Sequence, residues 1–260
     1  MIDLYKIVKH NSPLISLALH DGHFMAPDML SYCQLAEHER FREEDPYTAI
    51  FADLPCNQVV VHASRFMLDL NRRKEKSIYL QPEDAWGLQV WTQALPQAVT
   101  DASYQLYDEF YKAMAQLIEE TIAKFGYFFI LDIHSYNHRR DAPNLMADPE
   151  LNPEVNLGTA YNQEKWRAII QQFKEDLATC SLQGRPLDVR ENIKFKGGGF
   201  AQWLCENYAD KGAIVSIEFK KTFMDEWTGR ADIPYILELQ QLLKGRIPRL
   251  LSDLFSLGQK

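Results

Sequence analysis

The chain has 260 residues, of which 46% are hydrophobic, 25% charged and 12% aromatic, with a formal net charge of −8. This composition describes a packed globular protein and excludes a disordered one, and the acidic surplus argues against non-specific nucleic-acid binding. The length suits one large α/β domain or two small ones.

No apolar run approaches the ~20 residues of a membrane span. The start, Met1 to Tyr5, lacks a basic segment followed by an apolar one, so no signal peptide is expected. Cys33, Cys56, Cys180 and Cys205 show no C-x-x-C spacing. Without an export signal, that pattern predicts reduced, mostly buried thiols and a cytoplasmic location. A cysteine nucleophile stays open at this point.

Leu14–Leu19 reads as a strand, followed by His20-Asp21-Gly22-His23 and a loop containing Pro27. Residues 28–44 are polar and compatible with a helix, and they lead into the acidic cluster Glu43-Glu44-Asp45. Gln58–His62 and Phe66–Arg72 both read as short strands ending in polar groups. Residues 74–99 carry Pro82, Gly87 and Pro96 and read as a loop. A long helix follows, capped by Thr100 or Asp101. Its apolar stripe runs from Tyr104 through Tyr107, Tyr111 and Met114 to Phe125, and Gly126 stops it.

The stretch Tyr127–Ser135 begins as an apolar run and ends in Asp132-x-His134-Ser135. A short apolar run of this kind is a buried central strand. A histidine just past its end stands where open α/β sheets place their sites. A polar loop, 138–153, is long enough to act as a rim or lid. Gln163–Leu177 and Phe200–Tyr208 read as helices, Leu187–Phe195 and Ala213–Phe219 as strands, and Ile233–Phe255 as a helical segment with a break at Pro248. Strands alternate with helices and no linker or repeat interrupts them, so 1–260 reads as a single α/β domain.

Two histidines at strand ends, His20 and His134, form a plausible metal pair. Hydrolytic zinc takes three protein ligands, mixing His with a carboxylate, and residues 43–45 can supply the carboxylate. His23 is an alternative ligand. Asp132 either caps a loop or orients a ligand. Glu218 ends an apolar strand, where burial raises a carboxyl pKa and suits a general base. Arg72 can grip a substrate carboxylate through two parallel hydrogen bonds.

Five segments carry a resemblance. Asp69-Leu70-Asn71-Arg72, Asp132-x-His134-Ser135, Asn156-Leu157-Gly158-Thr159, Phe195-Lys196-Gly197-Gly198 and Ile217-Glu218-x-x-x-x-Phe223-Met224-Asp225-Glu226 occur in an order that resembles the N-formylglutamate amidohydrolase family. His20-x-Gly22 and Glu44-Asp45 fall where that family has a His-x-Gly and an acidic pair. The resemblance spans roughly residues 18–228. It implies a zinc-carboxypeptidase-like three-layer α/β/α sandwich with a mixed central sheet. It also implies a zinc-dependent amidohydrolase of amino-acid metabolism acting on an N-acyl, such as N-formyl, amide of a small carboxylate-bearing molecule.

Carried over, His20, His134 and an acidic residue would bind zinc. Asp45 matches the acidic position better than Glu44. Glu218 would be the base, and Asn71 with Arg72 the carboxylate clamp. The Gly197-Gly198 turn would present backbone N–H groups to the substrate. Manganese, iron or cobalt could replace zinc.

The chain departs from the family pattern at Tyr136-Asn137-His138-Arg139-Arg140 and at Gln89-Val90-Trp91-Thr92, and both stretches are expected to line the substrate site. Two rival functions remain. One is a carboxypeptidase or amidase acting on peptides or cell-wall fragments. The other is a catalytically inactive relative that binds a ligand. The sequence does not specify an oligomeric state.

Overall fold

The computed structural model describes residues 4–257. Met1–Asp3, on which the expectation about export partly rests, and residues 258–260 of the expected domain lie outside this range.

A seven-stranded sheet forms the middle layer, in the order β1-β3-β2-β4-β9-β5-β8. The strands are β1 (Tyr5–Val8), β2 (Leu14–Ala18), β3 (Asn57–Val61), β4 (Phe128–Tyr136), β5 (Val155–Gly158), β8 (Val189–Glu191) and β9 (Gly212–Lys220). A two-stranded hairpin, β6 (Ser181–Leu182) with β7 (Arg185–Pro186), stands apart from it. The core strands β3, β2, β4 and β9 are mutually parallel, whereas β1 and β5 join antiparallel to β3 and β9. The sheet is therefore mixed.

β4 is buried along its whole length, and its apolar first half, Phe128–Leu131, is what a strand covered on both faces requires. Its side chains alternate. Phe129, Leu131 and Ile133 join the core beneath α3 (Thr48–Phe51), α5 (Arg167–Ala178) and α7 (Ile233–Leu257). Phe128 and Ile130 join the core beneath α4 (Gln97–Phe125) and α6 (Gly199–Tyr208). The result is an α/β/α sandwich. Each fully buried Leu, Ile or Phe contributes about 1.5–3 kcal/mol through area removed from water, and β4 and β9 supply such residues to both cores.

Several local expectations are corrected. α4 begins at Gln97, directly behind Pro96, and not at Thr100 or Asp101. Pro96 holds an extended ψ of 143° that starts the helix at the next residue. Thr100 instead bonds back to the Gln97 carbonyl at 2.9 Å. Residues 28–44 do not form one helix; they form α1 (Pro27–Leu30) and α2 (Glu37–Glu43) around a turn.

Phe66–Leu70 is buried and Asn71 and Arg72 are half-buried, but the segment is a series of turns, not a strand. The hydroxyls of Tyr111 and Tyr107, on α4, donate to the carbonyls of Leu70 and Arg72, each at 2.8 Å. Side chains thus supply the partners a neighbouring strand would otherwise provide. The Leu187–Phe195 strand shrinks to β8. The Asn156 side-chain oxygen accepts from the N–H groups of Ile193 and Lys194 and ends the ladder there.

α7 runs unbroken through Pro248. Its apolar face, from Ile236 through Leu243 to Leu254, is fully packed and keeps the helix on course. β1 and β5 carry no readable periodicity and were not anticipated. Of the four free cysteines only Cys56 is buried; the other three are half-buried, fewer than expected.

Candidate metal centre

β4 does not stop before His134. It continues to Tyr136 because β9 runs beside it in register to Lys220, pairing His134 with Glu218 and Asp132 with Ser216. Alternation then puts Asp132, His134, Ser216 and Glu218 on the same face of the sheet as Phe128 and Ile130. His134 is therefore an in-strand residue, and Asp132 shares its face.

His20 lies two residues beyond β2, and its carbonyl accepts the Asp45 N–H at 2.9 Å. Gly22 is required here by close approach: a Cβ at that position would run into the His62 backbone carbonyl. Asp45 follows α2. The donor atoms of His20, Asp45 and His134 lie within 4.8 Å of one another, and all three side chains are buried. Asp45 Oδ2 is 3.4 Å from His20 Nδ1 and 3.1 Å from His134 Nδ1.

The outward nitrogens are also occupied. His20 Nε2 is 2.8 Å from Asp69 Oδ1. His134 Nε2 is 2.9 Å from Asp132 Oδ1, at an angle too bent for a well-aligned hydrogen bond, which leaves that buried oxygen under-satisfied. Carboxylates only accept, so Asp69 and Asp132 favour an N–H at each Nε2, and each Nδ1, on the Asp45 side, is the nitrogen that would give its lone pair to an ion. This carboxylate–imidazole relay is what orients histidines around a metal. Asp69 is itself held by Arg65, at 3.1 Å, and by the Tyr79 hydroxyl. Asp132 Oδ2 accepts from Ser216 at 3.1 Å.

The charge balance points the same way. Asp45, Asp69, Asp132 and Glu218 converge in a buried space whose nearest fixed cations are Arg65 and Arg72. Contacts with the two histidines hold the Asp45 and Asp69 carboxyls well below the usual range, against the opposing effect of burial. The neighbouring carboxylates, Asp132 first, push His134 well above its usual value, also against burial. Burial raises Glu218 to about 8. A divalent cation among two imidazoles and a carboxylate fits this donor set and supplies the missing positive charge.

The centre opens into a pocket of about 480 Å³. Arg72, Asn71, Glu218, Gly197 and Gly198 line it, as do Tyr136, Asn137 and Arg140 of the departing segment. Arg72 donates from Nη2 to the Asp84 carbonyl at 2.7 Å and lies over the Tyr79 ring. Asn71 Oδ1 accepts from the Phe200 N–H at 3.2 Å, and a Cβ on Gly198 would collide with the Asn71 side chain.

Other candidates fall outside. Glu44 and His23 bond to each other, and Glu44 also accepts from Ser64, so neither joins the cluster. Glu43 pairs with Arg140 at 2.8 Å. Gln89–Thr92 does not line the pocket. Val90 and Trp91 are core residues, and the Trp91 indole donates to the Tyr79 carbonyl. Burial raises all four thiol pKa values, which opposes a cysteine nucleophile. Sequence reasoning missed Asp69 as a histidine partner and missed Tyr79 altogether. The first could have been suspected from an aspartate three residues before a site arginine; the second carried no signal.

Residues 12–224 match the family model described as N-formylglutamate amidohydrolase. The chain belongs to that family. No match was found among curated protein sequences. Among solved structures, the chain is similar to N-formylglutamate amidohydrolase from Ralstonia eutropha JMP134, at 15% identity and a TM-score of 0.72, covering 97% of this chain and 99% of that one. A protein from Agrobacterium tumefaciens aligns at 14% identity and a TM-score of 0.67, covering 98% and 96%. At these identities the likeness shows a shared fold. Among the described residues no helix is long and apolar enough to cross a membrane.

Proposed function

We propose that this member of the N-formylglutamate amidohydrolase family is a zinc-dependent amidohydrolase. It removes the N-acyl group of a small carboxylate-bearing molecule such as N-formyl-L-glutamate. The observation that carries the reading is the buried His20–Asp45–His134 cluster with Glu218 directly across from His134.

His20, Asp45 and His134 would hold the ion. When bound, it polarises the scissile carbonyl and lowers the pKa of water to about 7. Glu218 takes the proton from the attacking water and returns it to the leaving amine. Its carboxyl stands at the pocket wall with only 8% of the residue exposed, so bulk water does not compete for that proton. Arg72 anchors the substrate carboxylate: its hydrogen bond among the described residues is from Nη2, and its ion pairs to Asp69, at 3.5 Å, and Asp84, at 4.0 Å, are too long to take up the remaining donors of the fork. Asn71 stands beside it with its Nδ2 3.5 Å from His134 Nε2. Fixing one end of the substrate this way places the scissile bond and removes much of the entropic cost of the encounter. Gly197 and Gly198 let the chain approach closely enough for backbone N–H groups to face the substrate. A cytoplasmic enzyme of amino-acid metabolism, folded as one domain over 1–260, belongs to the same proposal.

Metal analysis of the purified protein beside His20→Ala and His134→Ala tests the centre. About one ion per chain in the wild type and none in the variants is expected, and its identity separates zinc from manganese, iron and cobalt. Equal metal content in all three overturns the assignment. A panel of N-formyl and N-acetyl acidic amino acids and peptides tests the substrate. Preferential cleavage of peptides would move the assignment to a carboxypeptidase or amidase.

A further inference from the structure

Lys221 is the first residue beyond β9, three positions after Glu218. Its residue exposure is 1%, yet among the described residues no carboxylate lies within ion-pair distance of its amine. Burying an ammonium group costs several kcal/mol, and a methionine would fill similar space without that penalty. The amine instead donates to two carbonyls, Arg42 at 2.7 Å and Glu44 at 2.6 Å. These lie at the C-terminal end of α2, where carbonyls lack helical partners and the helix dipole favours a cation. The Lys221 N–H donates to the Tyr136 carbonyl at 3.0 Å, which ties the same residue to the end of β4.

The Glu44–Asp45 peptide is thereby pinned at both ends. Its carbonyl accepts from Lys221, and its N–H donates to the His20 carbonyl at 2.9 Å. The orientation of that peptide sets the direction in which the Asp45 side chain leaves the backbone. We infer that Lys221 is a positioning residue for the candidate centre: by holding the Glu44 carbonyl it fixes Asp45 relative to His20, His134 and Glu218. The inference rests on the metal-centre reading above. The Glu44 side chain is tied to His23 and Ser64 and makes no hydrogen bond to this peptide, so the carbonyl end of the peptide is held by Lys221.

The test is a chelator-competition titration of zinc into metal-free wild type, Lys221→Met and Lys220→Met, with the melting temperature of each metal-free protein recorded. Lys220 is the control, since its amine bonds to the Asn152 carbonyl, away from Asp45. Zinc affinity is expected to fall roughly 10–100-fold in Lys221→Met, the range for residues that orient ligands, and to stay within about twofold in Lys220→Met. A lysine with a merely structural role would lower the melting temperature and leave affinity unchanged, and that result overturns the inference while the centre stands. If wild type itself binds no zinc, the centre and the inference fall together. Should Lys221→Met not fold, Lys221→Gln is titrated under the same criterion.

Discussion

His134 and Glu218 occupy matching positions on adjacent parallel strands, β4 and β9, and project from the same face of the sheet. A proposed ligand and the proposed base are thus spaced by a backbone ladder and not by loops. Displacing either would break the ladder between two strands that are buried almost throughout.

The carboxylates behind the histidines should matter almost as much as the ligands. Asp69→Asn and Asp132→Asn each replace an acceptor by a group that can also donate, and so release the imidazole tautomer. Zinc affinity is expected to fall about 10–100-fold in each while far-UV circular dichroism is retained. Unchanged affinity in both would mean that the relay does not orient the rings.

Without metal, stability should decline between pH 5 and 8. Glu218 is raised by burial to about 8 in the folded chain, against an ordinary value of 4.5. The folded state therefore holds more protons than the unfolded one across that interval, and stability falls as pH rises. His134, also raised, adds in the same direction: its contribution is present below 6.5 and is lost as pH climbs through its folded value. Thermal melts of the chelator-treated protein should show the decline, and Glu218→Gln should flatten it. A melting temperature that rises over the interval in wild type contradicts the protonated state assigned to Glu218.

Gly22→Ala should fail for a steric reason. The added methyl would meet the His62 backbone, which cannot yield without disturbing β3. A stability loss of about 2 kcal/mol or more is expected, in the range of overpacking costs, together with weakened metal binding, because His20 lies two residues away. Denaturant unfolding of the metal-free form measures the first and chelator competition the second. Wild-type behaviour in both would show that the loop relaxes freely.

Arg72→Lys keeps the charge and removes the planar fork. KM for a carboxylate-bearing substrate is expected to rise about tenfold with kcat changed by less than about threefold, the mark of lost anchoring. Steady-state kinetics on N-formyl-L-glutamate decide it. A fall in kcat at constant KM would place Arg72 in the chemical step instead.

The central strands were legible because short, largely apolar runs such as Leu14–Leu19 and Ile214–Ile217, each broken only by a serine, have few other uses. The histidines stood out by following such runs. What stayed illegible depended on tertiary partners. Phe66–Arg72 looks like a strand until the hydroxyls of Tyr107 and Tyr111 take its carbonyls. The end of β4 could not be placed before Tyr136 because its length is set by β9. Residue chemistry alone does not separate Asp45, Glu44 and Glu43, and it was the family resemblance that favoured Asp45. Their separate fates follow from the turn after α2, which sends one toward His134, one toward Ser64 and one toward Arg140.

Few residues of the 138–153 loop contribute to the centre's framework, while Arg140 at its start reaches the pocket wall. Under the proposed function, the candidate ligand His134 and base Glu218 are carried by strands while Arg140 is carried by a loop. Exchanging that loop is therefore expected to change which substrate is preferred while leaving the metal centre intact, so one catalytic framework could serve several diets.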